Sequence, residues 1–329
     1  MSKQKILSLL NQSEGYLSGA EMSRQLGISR AAISKAVESL RQEGYEIDAV
    51  TNRGYKLLSS PDRLTEGEIL PYLSVRHVAR HLEVFATIDS TNNYLKRESG
   101  NLPDGAAAVA DQQTGGRGRL GRNFASPEGK GIYYSVLLRP DLPPAEAVNL
   151  TAYVAVAVCN GIEEATGVRP QIKWTNDIVM NGRKVCGILT EMAIEGETAA
   201  LQYIVTGIGV NVNQTAEDWP EELKAIAGSI AQAVRHPVRR GRLAACLLNA
   251  LDQVYLDWLA GNHASYLEQY RKDCLTVGRE VKLLRSGREE IATAIGIDDK
   301  FGLIVRHPDG REETVTSGEV SVRGLYGYV

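Results

Sequence analysis

Cysteine is scarce in this 329-residue chain, and its four copies, Cys159, Cys186, Cys246 and Cys274, lie far apart. None shows the close spacing of a zinc or dithiol site, so buried, inert thiols in a reducing compartment are expected. The histidines nearest in sequence do not argue for a zinc site either. His77 and His81 are four apart, which on a helix would put them on one face, but no Glu or Cys joins them and a surface pair is expected. A dominant charge is also missing: the net charge is −3, which gives no global electrostatic case for nucleic acid. No basic-then-apolar leader opens the chain, and no apolar run nears the ~20 residues of a membrane span, so no membrane partner and a cytoplasmic location are expected. Internal repeats and low-complexity segments are absent. The length suggests two or three domains with ample core.

Local composition says more than the total. Residues 1–58 hold eight Lys/Arg against six Asp/Glu. Residues 3–11 read as a short amphipathic helix. Ser18 opens a second helix, with Glu21 completing a capping box, Met22 and Leu26 inward and Gly27 as the stop. Ser29 caps a third, in which Ile33, Val37 and Leu40 form the buried stripe. Strands over 45–50 and 55–58 follow, joined by a Thr-Asn-Arg-Gly turn. Three helices and a hairpin make a winged helix-turn-helix over residues 1–60. The outward positions of its third helix, Arg30, Ala31, Ser34 and Lys35, are short or basic groups suited to a major groove, and Arg53 at the wing tip can reach a neighbouring phosphate or minor groove. Winged helices also serve as protein-binding modules; this small, basic face favours DNA. Ser59-Ser60-Pro61-Asp62 has the composition of a linker.

Acidic residues are missing altogether from 112–122, where the chain reads Gln-Gln-Thr-Gly-Gly-Arg-Gly-Arg-Leu-Gly-Arg. Glycines let the backbone approach a ligand with its N–H groups, and arginines add fixed positive forks, so this is a loop for wrapping an anion. It contains Gly116-x-Gly118-x-x-Gly121, which formally matches the dinucleotide fingerprint, but that fingerprint requires a helix at once. Pro127 and a strand over 132–139 follow instead, and no Gly-Lys-Ser/Thr completes a P-loop. Both nucleotide-binding motifs are therefore excluded.

Around this loop the chain reads as mixed α and β. A strand over 83–88 runs into Ser90-Thr91-Asn92, which can cap the next helix or present hydroxyls and an amide to a ligand. A strand over 106–111 delivers the loop. Residues 147–166 read as a helix apolar nearly all round, hence buried. Residues 172–180 read as a strand interrupted by the polar cluster Lys-Trp-Thr-Asn-Asp, and a strand returns through Lys184 and Gly187. On the strand over 203–212, Gly207, Gly209, Asn211 and Asn213 alternate, and small residues on one face leave room for something flat. Helices over 243–259 and 264–272 follow, then short alternating strands over 281–284, 291–297, 303–305 and 314–322 that suggest a small β-barrel.

Four motifs, Gly-Arg-Gly-Arg-Leu-Gly-Arg, Lys-Trp-Thr-Asn-Asp, Arg-Lys-Val-Cys-Gly-Ile-Leu-Thr-Glu and Gly-Ile-Gly-Val-Asn-Val-Asn, stand in this order. Together they resemble the biotin-protein ligase family, and the winged helix makes the chain resemble its bifunctional ligase–repressor type. The resemblance covers the whole chain. It implies an α+β multidomain protein: a winged helix over 1–60, a catalytic domain with a mixed sheet over 64–273 and an SH3-like β-barrel over 274–329. It also implies ATP and biotin as substrates with Mg²⁺, formation of biotinyl-5′-AMP, and transfer to a lysine of a biotin carboxyl carrier protein of acetyl-CoA carboxylase or another biotin-dependent carboxylase. Operator DNA of biotin genes and a ligand-promoted homodimer are implied as partners.

By the same resemblance, Ser90, Thr91, Asn92 and Gln113 belong to the biotin ring, Gly187, Gly207 and Gly209 to its apolar slot, and Arg117, Gly118 and Arg119 to the carboxylate and phosphate. Arg122, Phe124, Asn176, Asn211 and Asn213 belong to the adenylate side, with Leu189 at the rim. Lys184 and Arg119 would act in catalysis, and Asp177 would orient the acceptor lysine or help place Mg²⁺, with no metal fixed by the protein alone. Three positions depart from the pattern: Leu120 where a further arginine is frequent, Phe124 for a Trp and Thr175 for a Pro. The alternatives are a ligase whose winged helix does not repress and a lipoate-type ligase. The Arg-Arg-x-x-Gly-Gly-Gly run of lipoate ligases is absent, which favours biotin.

Overall fold

The structure, a computed structural model, describes residues 2–285, 288–316 and 321–324. The N-terminal module has helices α1 (Ser2–Gln12), α2 (Gly19–Leu26) and α3 (Arg30–Gln42) and an antiparallel hairpin of β1 (Glu46–Val50) and β2 (Gly54–Ser59). Ser18 and Ser29 cap α2 and α3 by accepting from Glu21 N and Ala32 N, and Gly27 ends α2 in the left-handed region. Ile6, Leu7, Leu10, Met22, Ile33, Val37, Leu40, Tyr45 and Ile47 form a core separate from the rest of the molecule.

The central module contains α4 (Glu66–Ile69), β3 (Leu82–Ile88), α5 (Thr91–Arg97), β4 (Ala107–Gln113), β5 (Gly131–Leu138), α6 (Pro144–Ala147), α7 (Leu150–Thr166), β6 (Gln171–Lys173), β7 (Asp177–Met180), β8 (Arg183–Ile194), β9 (Leu201–Asn211), α8 (Ile230–Val234), α9 (Arg240–Leu259) and α10 (Ala264–Asp273). Its seven strands make one mixed sheet in the order β3-β4-β5-β9-β8-β7-β6, parallel only between β3 and β4. One face of the sheet buries Ile204, Ile208 and Val210 with the apolar helix α7 and with α9. The opposite face carries α5 over Leu137 and Val205, and beside it the glycines of β8 and β9.

Three sequence expectations are corrected here. Residues 172–180 are not one interrupted strand: Gln171 pairs with Val179 and Lys173 with Asp177, so the chain reverses through Trp174-Thr175-Asn176, with a cis Trp174–Thr175 peptide. His77 and His81 lie in turns rather than on a helix, facing Asp104 at 3.0 Å and Glu83 at 3.1 Å. The segment 144–166 does reach the length and apolarity of a membrane span, but 67% of its most apolar stretch is buried inside the protein, as a core helix should be. All four cysteines are free and buried, and burial pushes the Cys246 thiol up to about 11.

The C-terminal module is a five-stranded antiparallel sheet, ordered β13 (Glu312–Val315), β12 (Leu303–Arg306), β11 (Arg288–Ile297), β10 (Glu280–Arg285), β14 (Ser321–Gly324). The strand expected over 314–322 is thus two strands on opposite edges, and its middle, 317–320, lies outside the described residues. Phe301 joins this sheet to the central core, with ring centroids 4.8 Å from Tyr153 and 5.1 Å from Tyr270. Trp174 is held by the same module, its indole N–H donating to Phe301 O at 2.9 Å and its backbone N–H to Thr276 Oγ1 at 2.9 Å.

Candidate active site

The glycine face of the sheet opens into a cavity of about 780 Å³. Its basic lining residues are Arg117, Arg119, Arg122, Lys173 and Lys184, and its one carboxylate among the described residues is Asp177. Five cations against one anion select an anionic occupant. The cavity has a neutral end and a cationic end, built from different elements.

At the neutral end Ser90 caps α5, accepting from Asn93 N at 3.5 Å, and also lines the cavity. Gln113 Oε1 accepts from Thr91 N at 2.9 Å and from Thr91 Oγ1 at 3.1 Å, while its Nε2 donates to Ser126 Oγ at 3.1 Å. Thr91 Oγ1 and Ser135 Oγ are 2.7 Å apart; Ser135 donates to Asn92 Oδ1 at 2.6 Å, and Asn92 Nδ2 donates to Glu191 Oε2 at 2.8 Å. Lys96 completes the chain at 2.8 Å from Glu191 Oε1. Burial pushes the Glu191 carboxyl up, but the Lys96 and Asn92 hydrogen bonds and the positive charges of Lys96 and Arg117 outweigh it and hold the group below the ordinary glutamate range.

The β8–β9 register sets Gly187 opposite Gly209 and Leu189 opposite Gly207. A Cβ on Gly207 would collide with the Asn92 amide, and one on Gly209 would lie 2.5 Å from the Phe124 ring. The expected flat slot is therefore covered in this structure by two of the protein's own side chains, which need glycine beneath them.

At the cationic end the loop folds on itself: Phe124 N donates to Gly116 O at 3.0 Å, Gly118 N donates to Arg122 O at 2.7 Å, and Arg119–Gly121 forms a 3-10 turn. Arg117 and Arg122 are exposed. Arg119 Nη1 donates to Asn176 Oδ1 at 2.9 Å, and Asn176 Nδ2 donates to Ile188 O at 2.9 Å, which couples the loop to the 174–176 turn. Lys184 Nζ lies 2.5 Å from Asp177 Oδ1. Asn211 lines the cavity with its amide held by Gly228 O at 3.1 Å.

Asn213 does not belong to the cavity and is a correction. Its amide donates to Asp62 Oδ2 at 3.0 Å and Val238 O at 2.9 Å, because β9 ends at Asn211 and alternation no longer applies beyond it. Sequence reasoning missed the opposite wall, Trp219, Leu223, Ile226 and Ala227, as well as Lys173 and Trp174. That wall is pinned to Lys184 by Lys184 N donating to Ile226 O at 2.8 Å and Gly228 N donating to Lys184 O at 2.9 Å. The buried Trp219 was the available signal, in an otherwise polar stretch.

On the winged helix, Arg30, Ala31, Ser34 and Lys35 share the exposed face of α3. Arg53 is exposed in the β1–β2 turn, with its guanidinium 4.3 Å from the Tyr16 ring centroid.

Three stretches of the chain match families of known proteins. Residues 84–211 match the biotin/lipoate A/B protein ligase family, residues 2–56 an HTH domain and residues 276–323 the biotin protein ligase C-terminal domain. The chain is 37% identical to the bifunctional ligase/repressor BirA of Bacillus subtilis over 94% of this chain and 95% of that one. It is 33% identical to the Escherichia coli BirA over 97% and 96% respectively. The biotin protein ligase of Aquifex aeolicus, solved in complex with biotin and ATP, superposes with a TM-score of 0.65 at 30% identity, covering 74% of this chain and 99% of that one. With the cavity, the loop and the winged helix in place, this protein belongs to the family of the bifunctional biotin ligase/repressors.

Proposed function

We propose that the protein is an ATP-dependent biotin–protein ligase that forms biotinyl-5′-AMP and passes the biotin to a lysine of a biotin carboxyl carrier protein, and that its winged helix represses biotin genes with the same adenylate as corepressor. The observation that carries the reading is the single cavity joining a hydrogen-bonded neutral end to five cations. A biotin ring suits the first, and the carboxylate and phosphates suit the second. In the first step a carboxylate oxygen attacks the α-phosphorus and pyrophosphate leaves; Arg117, Arg119 and Lys184 neutralise two anions brought together. Lys184 must leave Asp177 to do so, and the arriving negative charge supplies the competing partner. In the second step the acceptor amine attacks the acyl carbon and AMP leaves. Asp177, released from Lys184, is the carboxylate that takes the amine proton in this reading. Mg²⁺ would arrive with ATP, since a single lysine-paired carboxylate offers no cage of its own.

The domain division 1–60, 64–273 and 274–329 is part of this proposal. So are Arg30, Ala31, Ser34, Lys35 and Arg53 as the operator-reading face, a homodimer promoted by the adenylate, and a cytoplasmic setting. Other biotin-dependent carboxylases are further acceptors. The test combines biotin, ATP, Mg²⁺ and a carboxylase carrier domain, read by intact mass, with lipoate replacing biotin in a parallel arm. A gain of one biotinyl group is expected; gain only with lipoate, or none, overturns the ligase reading. A gel shift on biotin-gene upstream DNA is the companion arm: no shift in any ligand state removes the repressor half and leaves a ligase alone.

A further inference from the structure

Outside the cavity, Arg240, 2% exposed at the start of α9, is a heavily engaged buried charge. All three guanidinium nitrogens are used. Nε donates to Asp62 Oδ2 at 3.0 Å, Nη2 to Asp62 O at 2.5 Å, and Nη1 to Gly131 O at 3.1 Å and to Asp111 Oδ1. The Arg240 backbone N–H adds a bond to Asp62 Oδ1 at 2.7 Å. One carboxylate would suffice to balance a buried guanidinium; here two come from segments far apart in sequence.

The segments are informative. Asp111 lies near the end of β4, immediately before the glycine/arginine loop, and Gly131 begins β5, which leaves it. Asn213, which donates to the same Asp62 oxygen at 3.0 Å, is the root of the 214–228 wall that carries Trp219. The two roots are cross-tied by Asn213 N donating to Lys130 O at 2.8 Å and by Lys130 Nζ at 3.2 Å from Asp218. Asp62 itself is in the linker from the winged helix, in the left-handed region at φ 52°. Beside it Glu68 accepts from Ser60 and from Arg239, and Gly67 N donates to Gln4 of α1 at 3.0 Å. None of Asp62, Asp111, Gly131, Asn213 and Arg240 lines the cavity.

We propose that Arg240 is a positioning residue for adenylate retention: it holds the roots of both cavity-covering segments at one point and ties that point to the linker through Asp62. The inference rests on the ligase reading above. Loosening the tie removes no group of Lys184, the neutral end or the loop arginines, so the chemistry persists once the loop has closed on saturating substrate, while the two covers lose their common anchor. The test uses the full-length chain with Asp62→Ala and, separately, Arg240→Lys, which keeps the charge but loses the fork. Release of preformed biotinyl-adenylate, KM and kcat for ATP–pyrophosphate exchange, and the thermal midpoint are measured together. Loss of a charge-assisted bond predicts release about ten-fold faster and a raised KM for ATP, with kcat at saturation near wild type. Adenylate release at the wild-type rate in whichever variant folds, even with a lowered thermal midpoint, overturns the proposal. Absence of adenylate formation by the wild type overturns the ligase reading instead.

Discussion

At the neutral end of the cavity, Gln113, Thr91, Ser135, Asn92 and Glu191 form one chain of hydrogen bonds between 2.6 and 3.1 Å. At the cationic end, Arg117 and Arg122 stand exposed, and Lys184 sits 2.5 Å from a single carboxylate. On the proposed ligase reading, the difference follows from what each end must do. A neutral ring presents the same donors and acceptors at every turnover, so a locked network can hold its partners ready for it. An anion whose charge grows, moves and leaves requires cations that change partners.

The sharpest way to break this comparison is to remove the cation that must change partners. Lys184→Ala is expected to cut ATP–pyrophosphate exchange by on the order of 10²–10³-fold, with biotin affinity much less affected, because a preorganised charge acts on the transition state more than on the ring. Retained exchange would remove Lys184 from the chemistry. Next in size is Arg119→Gly, which severs the loop from Asn176. One hydrogen bond to a charged group lost from the closed loop predicts release of adenylate roughly 10–100-fold faster. Labelling of bystander lysines by mass spectrometry is the readout, and unchanged labelling would show that the loop closes without this contact.

How much of this was legible in the sequence depends on whether a local pattern carried it. The winged helix was legible because caps, a glycine stop and an i, i+4, i+7 stripe are all local signals. The glycine/arginine loop was legible by composition, and the strand after it sufficed to reject a Rossmann turn. The 174–176 reversal was not legible, since Trp-Thr-Asn contains neither glycine nor proline to mark a turn. Ser135, Glu191 and Arg240 join their networks only through strand pairing and helix packing across 43 to 178 residues, which no spacing rule reports. Asn213 was misplaced by extending a period of two past the end of its strand.

The smallest expected effect tests whether the neutral end is as rigid as its bond lengths suggest. Glu191 ends that network, and its carboxyl is held below its ordinary value of 4.5. A carboxylate with a depressed folded-state pKa stabilises the protein fully above its unfolded value and loses that contribution as pH falls through the folded one. Glu191→Gln keeps an acceptor for Asn92 but removes the charge that Lys96 and Arg117 favour. Thermal midpoints of the two proteins should therefore differ by a constant amount above about pH 5 and converge as pH falls below 4.5. Lys96→Met, which removes the partner, should show the same convergence. A gap that is independent of pH would mean the Glu191 charge is balanced equally well in the unfolded chain. The neutral end would then owe its order to the hydroxyl and amide groups alone.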